Sequence, residues 1–311
     1  RSPQGVSSAA SDVYKRQLQY GFNGLRDMAV NLEAGAFYWL LFAFILGLAV
    51  GSFLNVVIYR LPIILERNWK KEAHEVLGLK EEVPHARFNL AYPASHCPQC
   101  GIKIAFYQNI PVVSYLLQQG RCNHCGVKIS PYYPLVELIT GLLFAYAELI
   151  LGPSWAFIAA AILIALLLCL LVIDLKTSLL PDILTYSLLW SGLLANLARL
   201  YKVSLSSAVL GAFVGYTLLW LVFQGFRLLT RKEGMGYGDF KLMAALGAWL
   251  GIEYLPLLIL FSACLGLFFA LCMHVKKGES FPFGPAMALS GLILFFLSLT
   301  GPSWLKMYVF G

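Results

Sequence analysis

Charged residues are scarce in this sequence. Asp, Glu, Lys and Arg supply only 13% of its 311 residues, about half the share of an ordinary soluble domain. Hydrophobic residues make up 59% of the chain, and the mean hydropathy is +0.73. This composition excludes a typical soluble protein and indicates an all-α polytopic membrane protein surrounded by lipid.

Features that define several other classes of protein are also missing. The first 17 residues contain no apolar core, so we do not expect them to act as a signal peptide. The seven cysteines are odd in number and four of them form two close pairs, which does not suit a disulfide scaffold. No glycine-rich nucleotide loop is present. The net charge of +7 is spread between apolar stretches, so we expect no nucleic-acid partner.

Eight apolar runs are candidates for membrane crossings. They cover residues 36–59, 134–151, 155–173, 179–200, 205–226, 242–250, 255–273 and 286–299. The sixth run is short, because a helix needs about 20 residues to cross a bilayer core of roughly 30 Å. We predict that Arg60 and Pro62 end the first helix.

The apolar runs and the polar stretches between them divide the chain into five predicted segments. Residues 1–35 are a leader and N-terminal segment that is in part foreign to the natural protein. The first transmembrane helix covers 36–60, a cytoplasmic zinc-binding insert 61–133, a membrane domain of about seven helices 134–303, and a C-terminal tail 304–311. The insert is distinguished by its charges and its paired cysteines.

The distribution of positive charge predicts the orientation. With the insert in the cytoplasm and eight crossings, 16 of the 23 Lys and Arg residues fall on the cytoplasmic side. Cytoplasmic loops are enriched in these residues. The short sixth run supports this count, because without it Lys276 and Lys277 would lie on the opposite side.

The paired cysteines predict a metal site. Cys97 and Cys100 form one C-x2-C turn, and Cys122 and Cys125 form another after 21 intervening residues. Two such turns bring four thiolates to one tetrahedral zinc ion. His96 and His124 are alternative ligands. Four protein ligands leave no open position, so the zinc is expected to fold the insert and to take no part in chemistry.

Two carboxylates at the ends of membrane helices are the candidate catalytic residues. Asp174 ends the third apolar run, and Asp239 begins the sixth after glycines that include Gly236 and Gly238. The orientation places both at the cytoplasmic ends of their helices. Two carboxylates sharing one water are the minimum machinery of an aspartic peptidase. Asp239 is alternatively a helix N-cap, and Asp182 is a rival to Asp174.

The helix dipole predicts different roles for the two aspartates. Asp174 lies at a C-terminal end, where negative charge is disfavoured, and Asp239 at an N-terminal end, where it is favoured. Asp174 is therefore expected to be the protonated partner and Asp239 the base. Lys176 weakens this preference because it lies two residues after Asp174.

The sequence resembles the bacterial type IV prepilin peptidases, which belong to the GxGD class of intramembrane aspartic proteases. The resemblance runs from about Gly47 to Gly284. It is carried by the cysteine pairs and by strings in one order: GSFLNVVIYRLP at 51–62, NIP at 109–111, YPLVE at 133–137, Asp174 with LPD at 180–182, GYGDFKL at 236–242 and PFGP at 282–285.

The resemblance implies a bifunctional enzyme of the inner membrane. Asp174 and Asp239 would cut prepilins and pseudopilins at the cytoplasmic face, after a short basic leader, and Asp174 rather than Asp182 matches the first catalytic aspartate. The new N-terminus would be methylated from S-adenosylmethionine. Supporting residues are Gly236, Gly238, Lys241 and Asp182, and candidate methyl-donor residues are Asn55, Arg60, Gly120 and Glu137.

The chain departs from the resemblance at one position, and alternatives remain open. Many members have Arg where this chain has Tyr132, and a missing contact to a cofactor carboxylate would weaken methyl transfer. One alternative is a peptidase without methylation. A proton-coupled transporter also uses membrane carboxylates, but it places them near the midplane and often shows repeats. An assembly factor would need the insert but not the aspartates.

Overall fold

The computed structural model describes residues 34–78, 87–231, 235–272 and 282–301. Within these ranges the chain is helical, with two isolated β-bridges and no strand. The helices are α1 (Ala34–Leu77), α2 (Val113–Leu117), α3 (Tyr132–Leu151), α4 (Trp155–Thr177), α5 (Asp182–Leu197), α6 (Leu205–Thr230), α7 (Tyr237–Leu250), α8 (Leu255–Cys272) and α9 (Gly284–Thr300). Residues 1–33 and the predicted tail at 304–311 lie outside the described residues.

The chain is a multi-pass membrane protein. Among the described residues, five helical stretches are long and apolar enough to span a bilayer: Ala36–Leu77, Tyr132–Leu151, Trp155–Thr177, Leu205–Thr230 and Ile252–Cys272. Helices α5, α7 and α9 are shorter, at 16, 14 and 17 residues. The three short helices coincide with three of the eight predicted crossings, and the count of eight itself stays a prediction.

Helix α1 continues well beyond the predicted first crossing. It runs for 44 residues and contains Pro62, so the prediction that Arg60 and Pro62 end this helix is wrong. Proline removes one backbone hydrogen bond but does not by itself stop a helix that is supported on both sides. The polar extension carries two ion pairs at i,i+4 spacing, Glu66–Lys70 and Lys71–Glu75, which favour helix.

Helix α7 is an inner helix. It packs against α5, α6 and α9, and nearly every residue from Asp239 to Leu250 is buried. Two buried side chains fix its register against α5: the Asn196 amide donates to the carbonyl of Ala248 at 2.8 Å, and the Trp249 indole donates to that of Leu188 at 2.8 Å. The position of Asp239 along the bundle follows from these contacts.

Helix α4 supplies the other aspartate. Its N-terminus is capped by Ser154, whose hydroxyl accepts from the backbone N–H of Phe157 at 3.2 Å. Its last turn ends at Ser178, which has a left-handed conformation with φ of 52°. Helix α4 contacts α1, α3, α5 and α9, so it lies between the N-terminal helices and the helices that surround α7.

Candidate active site and cysteine cluster

Asp174 is buried in the last turn of α4. Its exposed fraction is 4%, and its Oδ2 atom has no hydrogen-bond partner among the described residues. The backbone amide of Gly284, the first residue of α9, contacts this carboxyl group. A Cβ atom at Gly284 would lie 2.5 Å from Oδ2 of Asp174. A side chain at this position would therefore have to displace the carboxylate.

Asp239 is the third residue of α7 and is also buried, with an exposed fraction of 8%. The N-cap of α7 is Gly236, so Asp239 is not the N-cap itself. Its carboxyl group reaches back to the backbone amide of Gly236, as the third residue of a capping box does. The same carboxyl group interacts electrostatically with Asp174. The two carboxyl groups therefore lie close enough to affect each other's charge.

Leu180 joins the three segments that surround the aspartates. A Cβ atom at Gly238 would lie 2.8 Å from the Cβ of Leu180, and one at Gly284 would lie 3.2 Å from its Cδ1. The loop after Asp174 thus packs on the first turn of α7 and on the start of α9. Sequence reasoning did not assign Leu180 or Gly284 to the site, although both occur in strings that carry the resemblance.

Asp182 has a different environment from Asp174. Its side chain is 57% exposed and forms an ion pair of 2.6 Å with Lys241. The ammonium group of Lys241 also lies 5.5 Å from the centre of the Tyr186 ring. Asp182 is thus paired at the surface, whereas Asp174 and Asp239 are buried together. This difference supports Asp174 over its rival.

The four paired cysteines form one cluster that can hold a metal ion. Their Sγ atoms all lie within 4.8 Å of one another, and the Cys97 and Cys125 sulfurs are 3.7 Å apart. Bonds of about 2.3 Å in a zinc tetrahedron require sulfurs roughly 3.8 Å apart. The two histidines considered from the sequence are not members of this cluster.

The two cysteine turns have the same backbone geometry. In the first, the N–H of Gly101 donates to Cys97 O at 2.9 Å; in the second, Gly126 donates to Cys122 O at 2.9 Å. Both glycines have φ near 70°, a left-handed conformation that other residues rarely adopt. Backbone N–H groups of Cys100 and Gln99 lower the pKa of the Cys97 thiol to about 6. The first turn therefore favours the thiolate form of Cys97, whereas desolvation and the neighbouring thiols raise the pKa of the Cys125 thiol to about 11.

Two of the four predicted methyl-donor residues lie together between α1 and α3. The Asn55 amide donates to the carbonyl of Tyr133 at 3.0 Å, while its Oδ1 is buried without a partner among the described residues. Glu137 accepts from the backbone N–H of Val112 at 2.8 Å and interacts with Ser52. This buried polar cluster joins the two helices to the loop before α2.

The other two predicted methyl-donor residues lie apart from this cluster, Arg60 on α1 and Gly120 in the insert. The Arg60 guanidinium is buried and donates to the carbonyls of Asn89, Leu90 and Pro93 at 3.0, 3.2 and 2.6 Å. Gly120, with φ of 64°, lines an open groove of about 380 Å³. The groove is also lined by Tyr115, Gln119, Arg121, Lys128, Ile129, Ser130 and Pro131.

Tyr132, the position that departs from the resemblance, contacts the helix of Asp174. The ammonium nitrogen of Lys176 lies 3.7 Å from the centre of the Tyr132 ring. The Tyr132 hydroxyl is buried without a hydrogen-bond partner among the described residues. Lys176 follows Asp174 by two residues, so this cation–π contact connects the first turn of α3 to the end of α4.

Comparison with known proteins gives matches over most of the chain. Residues 45–150 match the bacterial peptidase A24 N-terminal domain, and residues 161–271 match the type IV leader peptidase family. A prepilin leader peptidase/N-methyltransferase of Neisseria gonorrhoeae is 52% identical over 254 residues, which are 81% of this chain and 88% of the relative. The chain belongs to the type IV leader peptidase family.

Two further members of the family have similar coverage. Proteins with the same name from Pseudomonas aeruginosa and Dickeya chrysanthemi are 49% and 45% identical over 253 and 267 residues. These matches cover 80% and 85% of this chain, and 87% and 94% of the relatives. No solved structure gives a significant match.

The family regions separate the two sites. Both buried aspartates lie in the leader peptidase region at 161–271, and the cysteine cluster lies in the N-terminal region at 45–150. Asn55 and Glu137 also lie in the N-terminal region. The Tyr132–Lys176 contact therefore joins one family region to the other.

Proposed function

We propose that this member of the family is a prepilin leader peptidase and N-methyltransferase in which Asp174 and Asp239 act as one catalytic pair. The observation that carries the proposal is their burial together: exposed fractions of 4% and 8% on two helices whose ends meet at Leu180. Buried ionisable groups in membrane proteins are expensive and mark functional sites. Family membership supplies the class of reaction.

Peptide cleavage by this pair needs one proton on one of the two carboxyl groups. Asp239, in the first turn of α7, acts as the base and takes a proton from water while the water oxygen attacks the scissile carbonyl carbon. Protonated Asp174 donates to the carbonyl oxygen. When the C–N bond of the resulting gem-diol breaks, the proton held by Asp239 passes to the leaving nitrogen. Asp174 takes back a proton from one gem-diol hydroxyl as that oxygen becomes the carbonyl oxygen of the product acid.

The substrate is proposed to reach this pair as an extended strand. A basic leader stays on the cytoplasmic side while the apolar helix that follows lies in the membrane. This arrangement brings the scissile bond to the ends of α4 and α7 and places the catalytic pair and the insert on the cytoplasmic face of the inner membrane. Gly236 and Gly238 allow a close approach of the substrate backbone.

The cysteine cluster is proposed to bind one zinc ion with a structural role. Four thiolates complete a tetrahedral shell and leave no position for water or substrate. Zinc supplies folding free energy to the insert when it is bound. The arrangement of two matching turns, each with a glycine of positive φ after its second cysteine, supports this proposal.

Methylation is proposed to occur beside the insert, with S-adenosylmethionine as methyl donor. The donor supplies an electrophilic methyl group to the new N-terminal amine. Asn55 and Glu137 fit such a ligand, because Oδ1 of Asn55 is a buried acceptor without a partner in the described part of the chain and Glu137 adds a carboxylate. Gly120 and Arg60 remain proposed members of this site.

Prepilin processing in membranes tests the proposal. Asp174→Asn and Asp239→Asn should each lower the cleavage rate roughly 10²- to 10⁴-fold, whereas Glu72→Gln, which changes an exposed carboxylate on the α1 extension, should not. Mass analysis of the mature N-terminus, with and without S-adenosylmethionine, reports methylation. Normal cleavage by either asparagine variant contradicts the pair, and an unmethylated amine in both samples leaves a peptidase alone.

A further inference from the structure

The ion pair between Asp182 and Lys241 lies beside the proposed catalytic pair. It joins the two chain segments that carry the aspartates. Lys241 follows Asp239 by two residues on α7, and Asp182 is the first residue of α5, just after the loop that follows Asp174. The Lys241 ammonium and Asp182 Oδ1 are 2.6 Å apart. One contact thus connects the chain segment after the first aspartate to the helix of the second.

The geometry points to Asp182 and Lys241 as positioning residues that fix the first turn of α7, and with it Asp239, against the loop after Asp174. This inference rests on the proposed function. Helix α7 is anchored to α5 at its far end by the buried contacts of Asn196 and Trp249. At its N-terminal end, Lys241 contacts two residues of α5, the Asp182 carboxylate and the Tyr186 ring.

At this end, aromatic packing holds α7 against α6, whereas its packing against the loop after Asp174 involves a glycine. Gly238 contacts Leu180 without a side chain of its own, and glycines in the first turn of a helix add conformational freedom. The Lys241 side chain is only 24% exposed, so its position is restricted by its surroundings. A pair at this place limits rotation of the first turn, which would move the Asp239 carboxyl group relative to Asp174.

The pair is expected to affect catalysis more than stability. Asp182 is 57% exposed, and exposed ion pairs contribute little to folding. A displacement of about 1 Å in a catalytic group, however, can lower a rate up to roughly 100-fold. A structural role would change the unfolding temperature and protein yield, whereas a positioning role changes kcat with little change in KM.

The test measures kcat and KM for prepilin cleavage by the full-length protein in detergent or lipid. Asp182→Asn and Lys241→Met should each lower kcat about tenfold, with KM within about twofold and the unfolding midpoint within about 2 °C of wild type. The conservative variants Asp182→Glu and Lys241→Arg keep the pair and should retain most of kcat. Lys70→Met removes another ion pair of 2.6 Å, far along α1, and is the matched control.

The double variant Asp182→Asn with Lys241→Met decides whether the two residues act as one unit. If the kcat of the double variant is no lower than that of the less active single variant, the two residues act as one unit, because the effects of coupled residues are non-additive. Wild-type kcat in Asp182→Asn, or multiplied losses in the double variant, overturns the inference. Asp239→Asn, measured in parallel, separates this outcome from failure of the proposed function. If that variant is inactive, the catalytic pair is supported even when the variants of the ion pair behave like wild type.

Discussion

Gly284 lies directly against Asp174, although 110 positions separate them in the chain. A Cβ atom at Gly284 would be 2.5 Å from the Oδ2 atom of Asp174 and 3.1 Å from its Cγ. The start of α9 therefore forms one wall of the site, and its smallest residue leaves the room in which the carboxyl group lies.

Gly284→Ala should displace the Asp174 carboxyl group and lower kcat roughly 10- to 100-fold. The matched control is Gly225→Ala in α6, where an added Cβ meets no atom within 4 Å and alanine favours the helix. Cleavage kinetics of both purified variants provide the measurement. Equal activity of the two would show that the close approach of Gly284 has no part in placing Asp174.

Tyr132 should stabilise the protein through its ring and not through its hydroxyl group. Tyr132→Phe keeps the ring that faces Lys176 at 3.7 Å and removes a buried hydroxyl, so its stability should equal or exceed that of wild type. Tyr132→Leu should lose about 0.5–1 kcal/mol, and Tyr132→Arg should lose more by repelling Lys176. Thermal unfolding in detergent measures these differences. Equal losses of stability in Tyr132→Phe and Tyr132→Leu would contradict a stabilising cation–π contact.

Cys100→Ser should remove one thiolate from the cluster, lower the zinc content of the purified protein and reduce its yield. Cys264→Ser is the control, because Cys264 is exposed on α8 and lies outside the cluster. Metal analysis after purification gives the result. Zinc content that is unchanged in Cys100→Ser would falsify the assignment of this ligand.

Arg60→Gln should release the segment around residues 89–93 from α1. Three carbonyls in this segment accept from the buried guanidinium, and hydrogen bonds to charged groups contribute about 1.5–3 kcal/mol each. Limited proteolysis should therefore cut this segment faster in the variant. If Arg60 instead binds the methyl donor, methylation falls while the protection of this segment stays unchanged.

The apolar runs predicted most of the fold because burial in lipid leaves a direct signal in composition. The bounds of α4 and α8 differ from the predicted runs by at most four residues. The extension of α1 was missed because Pro62 predicts a helix end. The helix is supported beyond that point by ion pairs and by the contacts of Arg60.

Some candidate site residues could be named from the sequence, and others could not. Asp174, Asp239 and the cysteines have residue types and positions that indicate chemistry on their own. The close approach of Gly284 and the packing of Leu180 depend on how helices far apart in the chain meet. Such contacts leave no periodic pattern or motif spacing in a single sequence. Tyr132 was noticed as a departure from the resemblance, but its contact with Lys176 required the structure.

The central claim is that Asp174 and Asp239 act as one unit, and a double-mutant comparison of single-turnover cleavage tests it most directly. Asp174→Asn, Asp239→Asn and the variant carrying both changes should all cleave at the same residual rate, because residues that act as a unit are strongly non-additive. Cleavage by either single variant within tenfold of wild type, or a double variant slower by the product of the two losses, would contradict this account.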